Sequence, residues 1–119
     1  MNNAVKDRNL LEWAAKAAGY DTSHSWNAKR MKMNPPVIGL WIPEIHTCWN
    51  PLRHGDAALD LAVKLRLTIE HGSPNRKFVV VRTAGSNWME FREMYVDDDA
   101  AATRRAIVRA AAAIGKKEE

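Results

Sequence analysis

The sequence predicts an α+β fold in which helices pack on a mixed or mostly antiparallel sheet. Three observations carry this prediction. Apolar residues recur at three- and four-residue steps near both ends of the chain, a spacing typical of amphipathic helices. Between them, short β-branched segments alternate with turn signals such as Gly72-Ser73-Pro74-Asn75, which is typical of hairpins. The length of 119 residues matches the usual size of one domain, so we predict a single domain over residues 1–119.

The first half of the chain predicts one helix and two strands. The helix carries an apolar stripe over Leu10–Ala18 and ends at Gly19, because glycine readily adopts the left-handed conformation that closes a helix. A weak strand is predicted at residues 24–27 and a stronger one at residues 37–42, with two adjacent prolines in the basic, flexible connection between them. Prolines exclude a helix at their positions. We expect irregular structure over residues 44–52.

The second half predicts two helices that enclose three strands. One helix spans about residues 55–66, and Asp56 lies near its N-terminus, where a carboxylate complements the helix dipole. The last helix runs over Ala100–Ile114 after the capping residues Asp97-Asp98-Asp99 and ends at Gly115. The resulting order is α–β–β–α–β–β–β–α. The three strands are predicted at residues 67–71, 77–82 and 88–93.

The composition excludes several classes of protein. A chain with 27% charged residues and five tryptophans is not typical of a disordered protein. No apolar run approaches the roughly 18 residues that a transmembrane helix needs, and residues 1–8 contain no apolar core of a signal peptide. The single cysteine, Cys48, cannot form an internal disulfide, which fits a reducing cytoplasm. We therefore predict a small, soluble, cytoplasmic protein.

Residues suited to catalysis or metal binding are present, but their spacing does not favour either task. The pair His46 and Cys48 lacks the Cys-x2-Cys or His-x3-His spacing by which two zinc ligands usually converge. Cys48 with His46 or His54 has the residue types of a nucleophilic pair, yet no glycine-rich helix start follows the thiol to activate it. The alternative is a small buried thiol beside loop histidines. We predict no catalytic residue, no cofactor and no metal.

The tryptophans and the basic residues are the candidates for partner contacts. Trp13, Trp41 and Trp49 suit packing between the helices and the sheet, whereas Trp26 precedes a basic segment and suits a partner surface. Arg105 lies one helical turn before a second arginine on the last helix, so their side could contact phosphates or an acidic partner. The candidate contact residues are Trp26, Lys29, Arg30, Lys32, Arg105 and Arg109.

Several segments, taken in order, resemble a known family. They are the Leu-Leu-Glu-Trp-Ala-Ala helix near the N-terminus, Trp49-Asn50-Pro51-Leu52, the helix over residues 55–65 that begins Gly-Asp-Ala-Ala-Leu, and residues 102–111. Nearly the whole chain thereby resembles the phage ABA sandwich domain of small phage and prophage proteins. The basic pair Arg53-His54 departs from the acidic residues more usual before the Gly-Asp pair. The resemblance implies a three-layer α-β-α sandwich, a phage or prophage origin and no particular activity.

These observations leave three functional interpretations. The first is a protein-interaction or accessory module that binds a phage or host protein, with homodimer formation through a sheet edge or a tryptophan patch as a simple version. The alternative is an accessory nucleic-acid binder that uses the segment from Lys29 to Lys32 and the Arg105/Arg109 side of the last helix, which the net charge of +4 favours weakly. The third, a small enzyme centred on Cys48, requires a reactive thiol.

Overall fold

The computed structural model describes residues 3–117, which form four α-helices and two small antiparallel sheets, so the α+β prediction is confirmed. The two-stranded sheet pairs β1 with β2 around a 3-10 turn at Pro43–Ile45, and the other sheet has the order β3-β4-β5. The elements are α1 (Asn3–Ala18), α2 (Ser25–Met31), β1 (Leu40–Ile42), β2 (Thr47–Trp49), α3 (Gly55–Lys64), β3 (Thr68–His71), β4 (Phe78–Arg82), β5 (Glu90–Met94) and α4 (Asp99–Lys117).

Helices α1 and α3 both end in a left-handed residue. At the end of α1, Gly19 has φ +83°, its N–H donates to the Lys16 carbonyl at 3.0 Å and the next N–H donates to the Ala15 carbonyl at 2.9 Å. This pair of bonds is a Schellman cap, and the predicted end of α1 is confirmed. At the end of α3 the same position is taken by Arg66, with φ 57°. A side chain in this conformation costs roughly 1–2 kcal/mol of backbone energy.

Helix α4 packs on one face of the three-stranded sheet and forms the centre of the core. Val79 and Val81 on β4 are fully buried within the same apolar cluster as α4 residues Ile107 and Val108. Successive side chains of a strand point to opposite faces, so Arg82 lies on the other face, where it contacts Glu70 and Glu90. A third layer over this charged face is not confirmed.

Alanine-lined faces bring α1 and α4 together. The two helices run in the same direction, since Asp7 contacts Arg105 and, further along both, Trp13 approaches Gly115. A Cβ atom at Gly115 would lie 1.9 Å from the Trp13 carbonyl oxygen. The prediction that Gly115 ends α4 is therefore wrong, because the glycine lies within the helix and allows close contact with α1.

Three other local predictions are corrected by the structure. Residues 24–27, predicted as a strand, contain the N-cap and first turn of α2 instead. Residues 44–52, predicted as irregular, contain β2 and most of the 3-10 turn. Lys116 and Lys117 belong to α4, beyond the end predicted at Ile114, while Glu118 and Glu119 lie outside the described residues. The remaining predicted elements occur in the predicted order, and α2 and β2 are additional.

Candidate partner-binding site

Three aromatic rings form an exposed patch where α2 meets β1. The ring of Trp26 lies 5.2 Å from that of Trp41 and 4.8 Å from that of His24, measured between centroids. Trp26 is nevertheless 50% exposed, while the other two rings are half-buried. We call these residues, His24, Trp26 and Trp41, the aromatic patch. Because its neighbours restrain the exposed indole, little side-chain entropy remains to be lost when a partner contacts it.

The aromatic patch is held in place by a buried amide. The Asn27 side chain is 3% exposed and bonds the backbone of Trp41 twice, accepting from its N–H at 2.7 Å and donating to its carbonyl at 3.1 Å. Its Nδ2 also donates to the Thr22 carbonyl at 3.1 Å. At the start of α2, the Nδ1 of His24 accepts from the N–H of Trp26 at 3.1 Å. These bonds fix α2 against β1 and thereby bring the two indoles together.

A buried arginine also holds α2 in place. Arg8 is 4% exposed and donates to the carbonyls of Asn27 at 2.9 Å, Ile38 at 2.9 Å and Val37 at 2.7 Å. Burial lowers the pKa of its guanidinium from the usual value, since the charge is removed from water and meets neutral carbonyls. Arg8 thus connects α1 to α2 and to the segment that enters β1. The sequence gives no signal for this role, because the carbonyls lie about 20 to 30 residues away.

The basic residues predicted on this segment have different surroundings. Lys29 lies one turn after Trp26 and Lys32 is the C-terminal cap of α2, and both are exposed. Their side chains make no hydrogen bond or ion pair with any residue that the structure describes. Arg30 is turned inward, donating to the Gly39 carbonyl at 3.1 Å and contacting the sulfur of Cys48. The two lysines are therefore available to a partner, whereas Arg30 is already engaged.

The predicted arginines of α4 form a separate group whose charges are paired. Arg105 donates to the Asp7 carboxylate at 3.0 Å, and Arg109 donates to the Glu93 carboxylate at 2.6 Å. Helix α1 lies between this group and α2, since Asp7 faces Arg105 while the adjacent Arg8 reaches α2. The structure does not join the two predicted basic surfaces, and carboxylates offset the positive charge of the second.

The remaining tryptophans divide between core and surface. Trp49 is buried and meets the Tyr20 ring edge-on, with centroids 5.6 Å apart, which confirms the packing role expected for it. Trp13 and Trp41 are half-buried. Trp88 is 55% exposed in the turn before β5, well separated in sequence from the aromatic patch. It provides a matched comparison for Trp26.

A cleft of about 470 Å³ gathers the residues that suggested nucleophilic chemistry. Cys48 and His54 both line it, together with Asp56 and Asp60 from the first two turns of α3. Cys48 is exposed, so the expectation of a buried thiol is wrong. Within residues 3–117 its sulfur has Arg30 as its hydrogen-bond partner, and no three His, Cys, Asp or Glu side chains come close enough to hold a metal ion. Cys48 and His54 therefore share the cleft, but no hydrogen bond joins the thiol to the histidine.

Comparison with known proteins yields no relative. Neither the protein-family models nor the curated proteins match the sequence, and no solved structure matches the fold. The resemblance to the phage ABA sandwich domain therefore stays a prediction. Among residues 3–117, no helix combines the length and the apolar character that crossing a membrane requires.

Proposed function

We propose that this chain is a phage- or prophage-encoded accessory module that binds a phage or host protein through the aromatic patch. The observation that carries this proposal is the restrained, half-exposed indole of Trp26 between His24 and Trp41. Tryptophan is enriched among the residues that dominate binding energies at protein interfaces. The phage or prophage origin rests on the family resemblance, and the single cysteine supports action in the reducing cytoplasm of the host cell.

The partner expected at the aromatic patch combines an apolar anchor with carboxylates. Trp26 and Met33, seven residues apart, are each about half exposed and offer apolar area. Lys29 lies between them in sequence and Lys32 beside Met33, both with unpaired charges. Opposite charges across an interface accelerate association and select the partner. We therefore expect a protein surface that presents an aromatic or aliphatic side chain flanked by aspartates or glutamates.

Binding, and not catalysis, is the proposed task. The residues nearest to a catalytic arrangement are Cys48 and His54, and a nucleophile needs its base within hydrogen-bond reach. The Cys48 sulfur instead contacts Arg30. Slow labelling of the folded protein by iodoacetamide at neutral pH supports this proposal, whereas rapid labelling would favour an enzyme.

A nucleic-acid interface is the second candidate function, and one observation favours it. The exposed Trp26 is followed three and six residues later by the unpaired lysines Lys29 and Lys32, and base stacking on an aromatic ring is worth roughly 1–3 kcal/mol. The paired charges of Arg105 and Arg109 count against an extended phosphate track. A mobility shift with single-stranded DNA at low and high salt separates the two functions, because phosphate contacts weaken steeply with salt.

The test of the proposed function compares two exposed tryptophans. Wild type, Trp26→Ala and Trp88→Ala serve as baits for proteins cross-linked in lysate of the bacterial host, with and without phage infection. We expect one protein to be captured by wild type and by Trp88→Ala but lost with Trp26→Ala. The double variant Lys29→Glu/Lys32→Glu should weaken the same capture, because the partner is acidic. Equal capture by the two tryptophan variants would contradict the proposal.

A further inference from the structure

The sheet edge at β3 is open, and it is bordered by apolar side chains. In the three-stranded sheet β3 pairs with β4 alone, so one side of its backbone has no partner strand among residues 3–117. On the adjacent helix α3, Leu59 is 58% exposed and Val63 is 56% exposed. They line a common groove with Leu67 and Ile69. We call Leu59, Val63, Leu67 and Ile69 the edge patch.

The other edge of the sheet is protected. On β5, Phe91 and Glu93 lie on the face that α4 covers, where Arg109 pairs with Glu93 and lies 5.4 Å from the Phe91 ring centre. An inward-pointing charge is one of the devices that prevent strand pairing at an edge. Across the sheet Glu93 aligns with His71 of β3 and Phe91 aligns with the apolar Ile69, so β3 presents neither a carboxylate nor an arginine on this face. The two edges therefore differ, and only the β3 edge resembles an interface.

We infer that β3 pairs with β3 of a second copy of this chain, giving a two-fold dimer with a continuous six-stranded sheet. In an antiparallel pair, directly opposed residues have their side chains on the same face of the sheet. Because consecutive residues point to opposite faces, one residue of β3 must lie opposite its own copy in a two-fold dimer, with the axis between the two. With the axis at Ile69, the two Ile69 side chains meet on the apolar face. The exposed Leu59 and Val63 of both copies border that contact.

The charge of Glu70 decides which of the two central residues of β3, Ile69 or Glu70, lies on the two-fold axis. An axis at Glu70 would place the two Glu70 carboxylates directly opposite each other, which is destabilising. An axis at Ile69 places Glu70 opposite Thr68 of the second copy instead, and Glu70 keeps its 2.7 Å bond from Arg82.

The backbone also permits pairing at Ile69. The N–H of Gly72 bonds the Phe78 carbonyl at 2.9 Å, and bonding residues alternate along an antiparallel strand. By that alternation Thr68 and Glu70 bond β4, and Ile69 and His71 direct their backbone groups to the open side. Ile69 therefore has both a free N–H and a free carbonyl to exchange with its counterpart.

Sedimentation velocity over about a hundredfold range of concentration tests this inference. We expect wild type to dimerise and Leu59→Glu/Val63→Glu to dimerise at least about a hundredfold more weakly, since four apolar side chains lose their burial. Both positions are exposed, so circular dichroism should stay unchanged, while Tm at high concentration should fall because the dimer no longer stabilises the folded state. The control Val96→Glu alters an exposed valine outside the edge patch and should leave the dimer intact. A monomeric wild type, or a dimer that survives the double variant, would overturn the inference.

Cross-linking tests the position of the axis in a Cys48→Ser background. Ile69→Cys should form an intermolecular disulfide, because a hydrogen-bonded antiparallel pair has Cα atoms about 5.5 Å apart. Glu70→Cys should not form this disulfide, since residues 70 of the two copies lie diagonally across the axis and not opposite each other. The reverse result would overturn the assignment of the axis. Trp26→Ala should remain dimeric, which separates this contact from the proposed partner site.

Discussion

Substitution of Gly115 by alanine tests the contact between α1 and α4. In an ordinary helix interior the change stabilises by about 1 kcal/mol, because glycine is the poorer helix former. At Gly115 the new Cβ would lie 1.9 Å from the Trp13 carbonyl oxygen and 3.2 Å from the Ala17 backbone nitrogen. The oxygen is part of a hydrogen-bonded helix and cannot rotate away. The helices must therefore separate by about 1.5 Å to restore van der Waals distance.

The expected magnitude follows from these distances. Overpacking a well-packed contact costs about 1–3 kcal/mol or more, and separation also weakens dispersion contacts between the alanine-lined faces of α1 and α4. After the helix-propensity gain is subtracted, we expect Gly115→Ala to lower the free energy of unfolding by about 2 kcal/mol. Tm should then fall by about 10 °C.

Urea denaturation of Gly115→Ala beside Gly55→Ala measures this effect. Gly55 is also helical, but a Cβ there would have no atom within 4 Å. The control should therefore stay within about 0.5 kcal/mol of wild type or be slightly more stable. If Gly115→Ala is as stable as wild type, the two helices do not meet at this residue and the reasoning is refuted.

Three further substitutions test a helix cap, a buried arginine and an exposed turn. Arg66→Gly should stabilise by about 1 kcal/mol in urea denaturation, because glycine adopts φ 57° without strain, and a gain of the same size from Arg66→Ala would contradict this. Arg8→Met should destabilise by about 3 kcal/mol, since the carbonyls it bonds lose their donors; retention of wild-type stability would show that these bonds contribute little. Hydrogen bonds from Ser23 lower the pKa of Asp21 below its usual 3.8, so this carboxylate stabilises the fold at neutral pH and the contribution is lost as the pH falls through the lowered pKa. Tm measured against pH should therefore fall less steeply in acid for Asp21→Asn, and parallel curves for the two proteins would argue against the shift.

The segment that forms α2 also contains a helix signal, although its aromatic residue, Trp26, favours a strand. Residues 28–33 read Ala-Lys-Arg-Met-Lys-Met, all good helix formers. A helix of seven residues is too short to be stable alone, and α2 persists because Asn27 and Arg8 bind it to β1 and α1. Composition identifies a candidate helix here, while the bonds that stabilise it come from distant parts of the chain.

The candidate site was predictable only in part. Trp26, Lys29 and Lys32 are exposed, as expected from an aromatic residue within a basic segment. The inward direction of Arg30 and the ion pairs of Arg105 and Arg109 depend on partners that sequence spacing does not reveal. Asp7 is 98 residues from Arg105, and no local pattern indicates that the two meet.

The elements whose causes are local follow from the sequence alone. Apolar periodicity and Gly19 placed α1, the Asp97-Asp98-Asp99 cap placed the start of α4, and β-branched residues placed β4, because each of these effects acts within a few residues. The folded structure is needed to tell which glycine ends a helix, which one permits close packing and which charges are free. Those outcomes depend on side chains that folding brings together from opposite ends of the chain, as Trp13 and Gly115 show.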